Sequence, residues 1–257
     1  MYEREVEAAR SAALRAGEVA LRHWHGDFEV EIKEDDSPVT AADREAERVI
    51  LATLSEAFPG DGFLGEEGAD HPGAGRRRWL IDPVDGTRDF VRRSRFWSVQ
   101  LALEDGADNI VAGVVYFPAL DEIYHACRGA GAWCNGQPLR ISPVSEIASA
   151  VLCVNDIGAL RRETFGGRFL EWASRFWSVR NPGGSPGAMM VASGRADAWL
   201  EPQSKAWDLA PHKVITEEAG GVFRNFDGGC SIYAGNCFTC TPALEDALRS
   251  FLSGEIG

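Results

Sequence analysis

The stretch Trp79-Leu80-Ile81-Asp82-Pro83-Val84-Asp85-Gly86-Thr87 constrains this chain more than any other. An apolar run of strand character ends in two carboxylates, held around a proline that fixes the turn, and passes at once into a glycine and a hydroxyl residue. Further acidic side chains stand in two other segments, Gly65-Glu66-Glu67 upstream and Trp207-Asp208 far downstream. At a strand tip, Asp82, Asp85 and the Val84 carbonyl can converge. Such oxygen donors suit Mg²⁺, which prefers octahedral geometry and is held by a few carboxylates together with substrate phosphate and water. Two ions about 3.5–4 Å apart stabilise both the attacking and the leaving oxygen of an in-line displacement, and Asp82 is placed to bridge them. Gly86 and Thr87 offer backbone N–H groups, and a helix starting there would turn its positive end toward a phosphate. Taken together, these features point to hydrolysis of a phosphate ester.

Each piece also has an ordinary structural reading. Asp-Pro and Asp-Gly are turn formers, so Asp82 to Gly86 alone reads equally as a tight turn. Thr40-Ala41-Ala42-Asp43 follows the logic of a capping box, which makes Asp43 a carboxylate in the first turn of a helix. Asp208 stands where a helix N-cap would. Glu66 follows Phe63-Leu64-Gly65 and reaches the cluster only if its loop folds back, and Glu66-Glu67 alone is a solvated loop.

Charge narrows the partners. The 257-residue chain carries a net charge of −13 with a pI near 4.9, which argues against nucleic-acid or anionic-membrane surfaces, since polyanion binding draws on Lys and Arg. An acidic protein acting on an anion needs local help, and bound metal supplies it. No stretch approaches the ~20 apolar residues of a membrane-spanning helix, and Met1-Tyr2-Glu3-Arg4-Glu5 is too charged for a secretory signal, so a cytoplasmic location is expected. Six cysteines are then expected to stay reduced. Cys237-Phe238-Thr239-Cys240 has redox or zinc spacing, but no second pair completes a tetrahedral site and the motif does not open a helix after a strand. The five histidines show no ligand spacing.

Periodicity outlines the elements. Val6, Ala9, Ala13, Ala16, Ala20 and Trp24 predict a long first helix ended by Gly26, and Phe28, Val30 and Ile32 a half-buried strand. A second helix carries Ala46, Val49, Ile50, Leu54 and Phe58. Strands follow at 79–81, 97–103, 110–117 and 123–127, with a turn at Cys134-Asn135-Gly136-Gln137, while Gly73 to Arg78 reads as a mobile loop. Beyond Val144 the pattern alternates: strand 151–154, helix 161–176, strand 177–180, helix 186–194 capped by Ser185, strand 197–200, helix 208–219, and a last helix opened by Thr241-Pro242. Residues 1–143 thus read as helices on a mainly antiparallel sheet carrying most metal ligands. Residues 144–257 read as an α/β half that supplies Asp208 and the substrate pocket.

The order and spacing of these segments resemble the inositol monophosphatase superfamily of Mg²⁺-dependent, Li⁺-sensitive phosphatases. The matching pieces are Ser37-Pro38-Val39-Thr40-Ala41-Ala42-Asp43, Gly65-Glu66-Glu67, Trp79 to Phe90, Gly194-Arg195-Ala196-Asp197-Ala198 and Trp207-Asp208-Leu209-Ala210, running on to Glu218-Ala219-Gly220-Gly221. The resemblance implies an α+β or α/β fold, a layered α-β-α-β-α sandwich, and a homodimer. It also implies two or three Mg²⁺ ions, with Mn²⁺ as a substitute. Glu66, Asp82 and the Val84 carbonyl would hold the first ion; Asp82, Asp85 and Asp208 the second; Glu66 with solvent a third. Thr87, oriented by Asp43, would position and help deprotonate the attacking water, with Glu66 in the catalytic set, while the Gly86 and Thr87 amides would receive the phosphate. Glu67 would support these ligands from behind.

For the substrate, the resemblance puts Asp85, Gly86, Thr87, Gly184, Ser185, Glu201 and Asp208 in contact with a small phosphorylated metabolite. Glu201 would meet a hydroxyl or an amine, and Lys205 stands near in sequence, either to meet an anion or to be solvated. Lys33 to Thr40 looks more like the histidinol-phosphatase and 3′-phosphoadenosine 5′-phosphate phosphatase branches than like animal inositol monophosphatase. The approach Glu201-Pro202-Gln203-Ser204-Lys205-Ala206, however, departs from the nucleotide branch. Inositol monophosphate and histidinol phosphate stand nearly level as substrates. 3′-Phosphoadenosine 5′-phosphate and fructose 1,6-bisphosphate are alternatives, and a binding partner of the transcription machinery with incidental phosphatase activity is the reading from another class.

Overall fold

The computed structural model describes residues 2–27, 29–32 and 38–254; Phe28, Ser37 and the Lys33–Asp36 stretch of the motif lie outside them. The alanine spacing yields α1 (Glu3–His25), which buries Val6, Ala9, Ala13, Ala16 and Ala20 on one face. Gly26 closes it through an N–H bonded to the Arg22 and His23 carbonyls. Strands β1 (Val30–Ile32) and β2 (Pro38–Thr40) form a separate two-stranded antiparallel ribbon. The half-buried strand expected there is corrected: Val30 and Ile32 are exposed, because the ribbon joins neither main sheet. Helix α2 (Ala41–Ala57) follows and packs on α1.

The first sheet collects β3 (Gly62–Gly65), β4 (Asp70–His71), β5 (Arg77–Asp85), β6 (Ser98–Asp105), β7 (Ile110–Phe117), β8 (Glu122–Cys127), β9 (Ala132–Cys134) and β10 (Gln137–Pro138), with the short α3 (Thr87–Val91) after β5. Its order is β10-β9-β8-β7-β6-β5-β3-β4, antiparallel throughout except for the parallel pair β3 and β5. Asn135 and Gly136, both at positive φ, make the expected turn between β9 and β10. The loop expected over Gly73–Arg78 ends two residues early. Arg77 and Arg78 begin β5, where Arg77 pairs with Glu5 and Asp61, and Arg78 with Glu104.

The second sheet has the order β12-β11-β13-β15-β14. It comprises β11 (Val151–Val154), β12 (Ser178–Arg180), β13 (Ala198–Glu201), β14 (Val222–Arg224) and β15 (Cys237–Cys240), and is served by α4 (Ile157–Arg162), α5 (Phe169–Ala173), α6 (Gly184–Ala192), α7 (Ala206–Glu218) and α8 (Glu245–Ser253). The single helix expected over 161–176 is broken into α4, a 3-10 turn and α5, since Gly166-Gly167 interrupts it. Ser185 lies inside α6, whose N-cap is Gly183. Strands β14 and β15 were not anticipated. The Cys-x-x-Cys segment is a fully buried strand between β13 and β14, and the six cysteines are free.

Three apolar clusters set the layers. One joins α1 and α2 to the first sheet through Ala13, Ile50, Trp79 and Leu101. A second lies between the sheets, where Met189 of α6 and Leu209 and Val214 of α7 meet Leu80, Val115 and Trp199. The third puts Leu160, Trp172 and Phe251 on the outer face of the second sheet. The result is the expected α-β-α-β-α sandwich. Among the described residues, no helix is long and apolar enough to cross a membrane.

Candidate active site and metal centre

Strand alternation alone would turn Asp82 and Asp85 to opposite faces, because three residues is an odd step. A bulge resolves this. Asp82 pairs with Gln100 and Asp85 with Ser98, so β5 gains one residue on β6 between them and both carboxylates come to one side. Inside the bulge, the Val84 N–H donates to Asp82 Oδ1 at 2.9 Å. The third carboxylate comes from the other half: Asp208 sits in the first turn of α7, its Oδ2 accepting from the Lys205 N–H at 2.9 Å and from Ser204 Oγ at 2.8 Å. Asp82, Asp85 and Asp208 each offer an oxygen, and these lie within 4.8 Å of one another.

Such a group is costly without a counter-ion. Burial raises the Asp82 carboxyl well above its ordinary range, with the charges of Glu66, Asp208 and Asp85 adding to the effect. Burial likewise raises Asp85 and pushes Asp208 up to about 7. A hard divalent cation among these oxygens removes the repulsion and satisfies the acceptors, so the donor set fits one.

Glu66 arrives by a simpler route than a folded-back loop. Because β3 and β5 are parallel, Gly65 pairs with Ile81, and the Glu66 N–H bonds the Ile81 carbonyl at 3.1 Å, beside Asp82. Its charge acts on all three aspartates, although it does not belong to their tight group. The loop is held by Glu47, a buried carboxylate of α2 that accepts from the Glu67 and Ala69 N–H groups at 3.0 and 3.1 Å. Sequence reading missed Glu47; its only signal was a charge on the apolar side of α2.

Asp43 caps its helix and also meets Thr87. It closes a capping box, its Oδ2 accepting from the Thr40 N–H and hydroxyl at 2.8 and 2.6 Å, while Oδ1 accepts from Thr87 Oγ1 at 3.4 Å. Thr87 Oγ1 is also 3.1 Å from the Val84 carbonyl. Burial pushes Asp43 up to about 6. Gly86 takes φ +81°, a left-handed conformation that favours glycine, and this turns the chain from β5 into α3.

A polar pocket opens beside the carboxylates, lined by Asp85, Gly86, Thr87, Gly184, Glu201 and Asp208, with Arg88 and Phe96 at its rim. Lys205 is exposed and not part of the lining, which leaves it solvated. Glu201 ends β13 and is 2% exposed; Asn155 Nδ2 donates to its Oε2 at 2.8 Å, and its buried Oε1 has no hydrogen-bond partner among the described residues. Burial pushes this carboxyl up to about 8. Ser185 reaches the wall, but it is fully buried and its hydroxyl, expected on substrate, is engaged by Asp85 Oδ2 at 2.6 Å, Gln100 Nε2 at 2.8 Å and His212 Nε2 at 2.9 Å. His212 went unrecognised in the sequence because it lies among apolar residues of α7 without ligand spacing.

Convergent carboxylates from both halves of a five-layer sandwich, beside a polar pocket, define a metal-dependent phosphoric monoester hydrolase. The chain belongs to the inositol monophosphatase family, whose model matches residues 1–251. It is 38% identical to the histidinol-phosphatase of Chlorobaculum parvum over 90% of this chain and 89% of that one. It is 35% identical to the inositol-1-monophosphatase of Mesorhizobium japonicum over 99% and 97%. The crystal structure of the extragenic suppressor protein suhB from Bartonella henselae superposes with a TM-score of 0.88 at 30% identity, covering 97% of this chain and 98% of that one.

Proposed function

We propose that this chain hydrolyses a small monophosphate bearing an ammonium group, with histidinol phosphate as the substrate, and that Mg²⁺, or Mn²⁺ in its place, occupies the carboxylate cluster as two or three ions. The observation that carries the substrate is Glu201: a buried carboxylate in the pocket wall whose Oε1 has no hydrogen-bond partner among the described residues. A protonated amine supplies both the missing donor and the missing positive charge. Beyond Asp85 and Asp208, whose charge the cations would neutralise, Asp89 and Glu201 line the pocket against one guanidinium, Arg88. That balance disfavours substrates with two phosphates, such as 3′-phosphoadenosine 5′-phosphate and fructose 1,6-bisphosphate. The histidinol-phosphatase of C. parvum, the relative at 38% identity, supports the same choice.

Asp82, Asp85 and Asp208 would hold the cations, with Glu66 and the Val84 carbonyl completing the set. Bound there, the metal supplies Lewis acidity and an activated water. The protein's own part is positioning and proton transfer. Gly86 and Thr87 present N–H groups where the phosphate enters, and Thr87 Oγ1 lies between the Val84 carbonyl and Asp43 Oδ1. Asp43, pushed up to about 6 yet ionised above that, can take the proton that Thr87 relays from water. Asn155 fixes the Glu201 carboxylate in the pocket wall.

The deciding experiment compares phosphate release from histidinol phosphate, inositol 1-phosphate, 3′-phosphoadenosine 5′-phosphate and fructose 1,6-bisphosphate with Mg²⁺ present. Histidinol phosphate should lead in kcat/KM by about 10-fold or more, as expected for a desolvated charge-assisted hydrogen bond. If inositol 1-phosphate ranks first, the ammonium assignment fails.

A further inference from the structure

We infer that Ser185 is a positioning residue for the metal ligand Asp85, and that His212 and Gln100 fix the direction of its hydroxyl proton. This rests on the reading of Asp85 as a metal ligand given above.

Ser185 Oγ has one proton to give and two lone pairs to fill, and it has three close partners. The Gln100 amide nitrogen, at 2.8 Å, can only donate, and ionised Asp85 Oδ2, at 2.6 Å, can only accept. His212 Nε2, at 2.9 Å, is therefore the member that decides the polarity. If Nε2 carries its proton, Ser185 accepts from both Gln100 and His212 and commits its own proton to Asp85, and every site on the hydroxyl is used. The opposite tautomer would make Nε2 compete with Asp85 for that proton. It would also leave an N–H at Nδ1, which is buried and has no partner among the described residues. A neutral imidazole with its proton on Nε2 is thus the form that fits.

The consequence falls on Asp85. Ser185 and Ser98, the latter at 3.3 Å, both address Oδ2. With Oδ2 occupied from the protein side, Oδ1 is the oxygen left for a cation, and the carboxylate plane is set before any ion binds. The three helpers come from separate elements, β6, α6 and α7, and Ser185, Gln100 and His212 are all 0–1% exposed. The arrangement spans both halves of the molecule and is dry. Partners of this kind behind a ligand typically govern metal affinity by about 10- to 100-fold.

The test is Mn²⁺ binding, measured by calorimetry and by electron paramagnetic resonance without substrate, on the wild type, Asp85→Asn, Ser185→Ala, His212→Gln and His212→Leu. Ser185→Ala should weaken binding about 10- to 100-fold. His212→Gln brings an amide N–H to the place of Nε2 and should stay near wild type, whereas His212→Leu should resemble Ser185→Ala. Circular dichroism of the metal-free proteins identifies any variant that does not fold, and the histidine pair decides the matter if Ser185→Ala is one. Ser185→Ala binding Mn²⁺ within twofold of wild type would overturn the inference, as would equal binding by the two His212 variants. If Asp85→Asn also leaves binding unchanged, the metal-centre reading itself is what fails. Asp85→Asn weakened beside an unaffected Ser185→Ala would fail the inference alone.

Discussion

At the scale of single residues, Asp82 carries the greatest consequence. It is buried, its carboxyl is raised by burial and by three neighbouring carboxylates, and it stands close enough to Asp208 to share a hydrogen bond. Asp82→Asn removes that charge with little change in shape and relieves repulsion in the metal-free state. The variant should therefore melt no lower than wild type without metal, yet lose Mg²⁺-stimulated turnover by about 1,000-fold or more, the scale on which transition-state electrostatics act. Turnover within tenfold of wild type would refute the assigned role. Glu201→Gln probes the pocket instead. A neutral amide cannot pair with an ammonium, so the preference for histidinol phosphate over inositol 1-phosphate should fall about 10- to 100-fold, reflecting a lost hydrogen bond to a charged group. An unchanged substrate ranking would remove Glu201 from substrate recognition. The carboxylates were legible in the sequence because acidic residues next to turn formers at a strand end announce themselves. Ser185 was named as a pocket residue through the resemblance, but its link to Gln100 and His212 was not legible, because those two lie within apolar segments. The one trace of that link was Ser98 and Gln100 at alternate positions of the otherwise apolar run 97–103, hence on one face.

At the scale of elements, the site depends on how α7 is seated, since this helix brings Asp208 across to Asp82 and Asp85. Its seat is Gly113 of β7: a Cβ there would stand 2.6 Å from Val214 Cγ1 and 3.0 Å from Pro211 Cα, so glycine is required by the close approach of helix to sheet. Gly113→Val should force α7 outward and cost about 1–3 kcal/mol of stability, the usual range for an overpacked core. Because Asp208 rides on the helix, the same variant should also need more Mg²⁺ for half-maximal rate. Calorimetric melting together with a Mg²⁺ titration of activity measures both effects, and normal Mg²⁺ dependence in a destabilised variant would uncouple the seat from the site. Sequence periodicity located the long elements well, α1, α2, β6 and β7 among them, because each buries one continuous stripe or run. It failed where elements are short or interrupted. Strand β15 was hidden behind a pair of cysteines, β14 offered only three residues, and the glycine pair in α4–α5 broke a pattern whose apolar spacing looked continuous. The bulge in β5 was invisible for a different reason: it exists only as a mismatch with β6.

At the scale of the whole molecule, the two sheets and the helices between them close around a concentration of raised carboxylates, so stability and metal occupancy must be linked. Asp43, Asp208 and Glu201 are pushed by burial to about 6, 7 and 8, and Asp82 and Asp85 are also raised. In each case the folded protein keeps a proton that the unfolded chain has already released near its ordinary carboxylate value, around 4. Stability from these groups is fully present below that value and is lost as pH rises through the folded values. Without metal, the melting temperature should fall steadily between about pH 5 and pH 8, by roughly 2–4 °C for each kcal/mol lost in a protein of this size. Mg²⁺ binds the deprotonated, folded site and adds stability in proportion to the logarithm of its concentration over its dissociation constant, so it should restore the loss at pH 8 and do little at pH 5, where protons occupy the same oxygens. Scanning calorimetry across this range, with chelator and with excess Mg²⁺, measures both slopes. Parallel curves would mean that the cation does not bind at the titrating carboxylates, and a metal-free melting temperature that rises toward pH 8 would contradict the electrostatic account of the site.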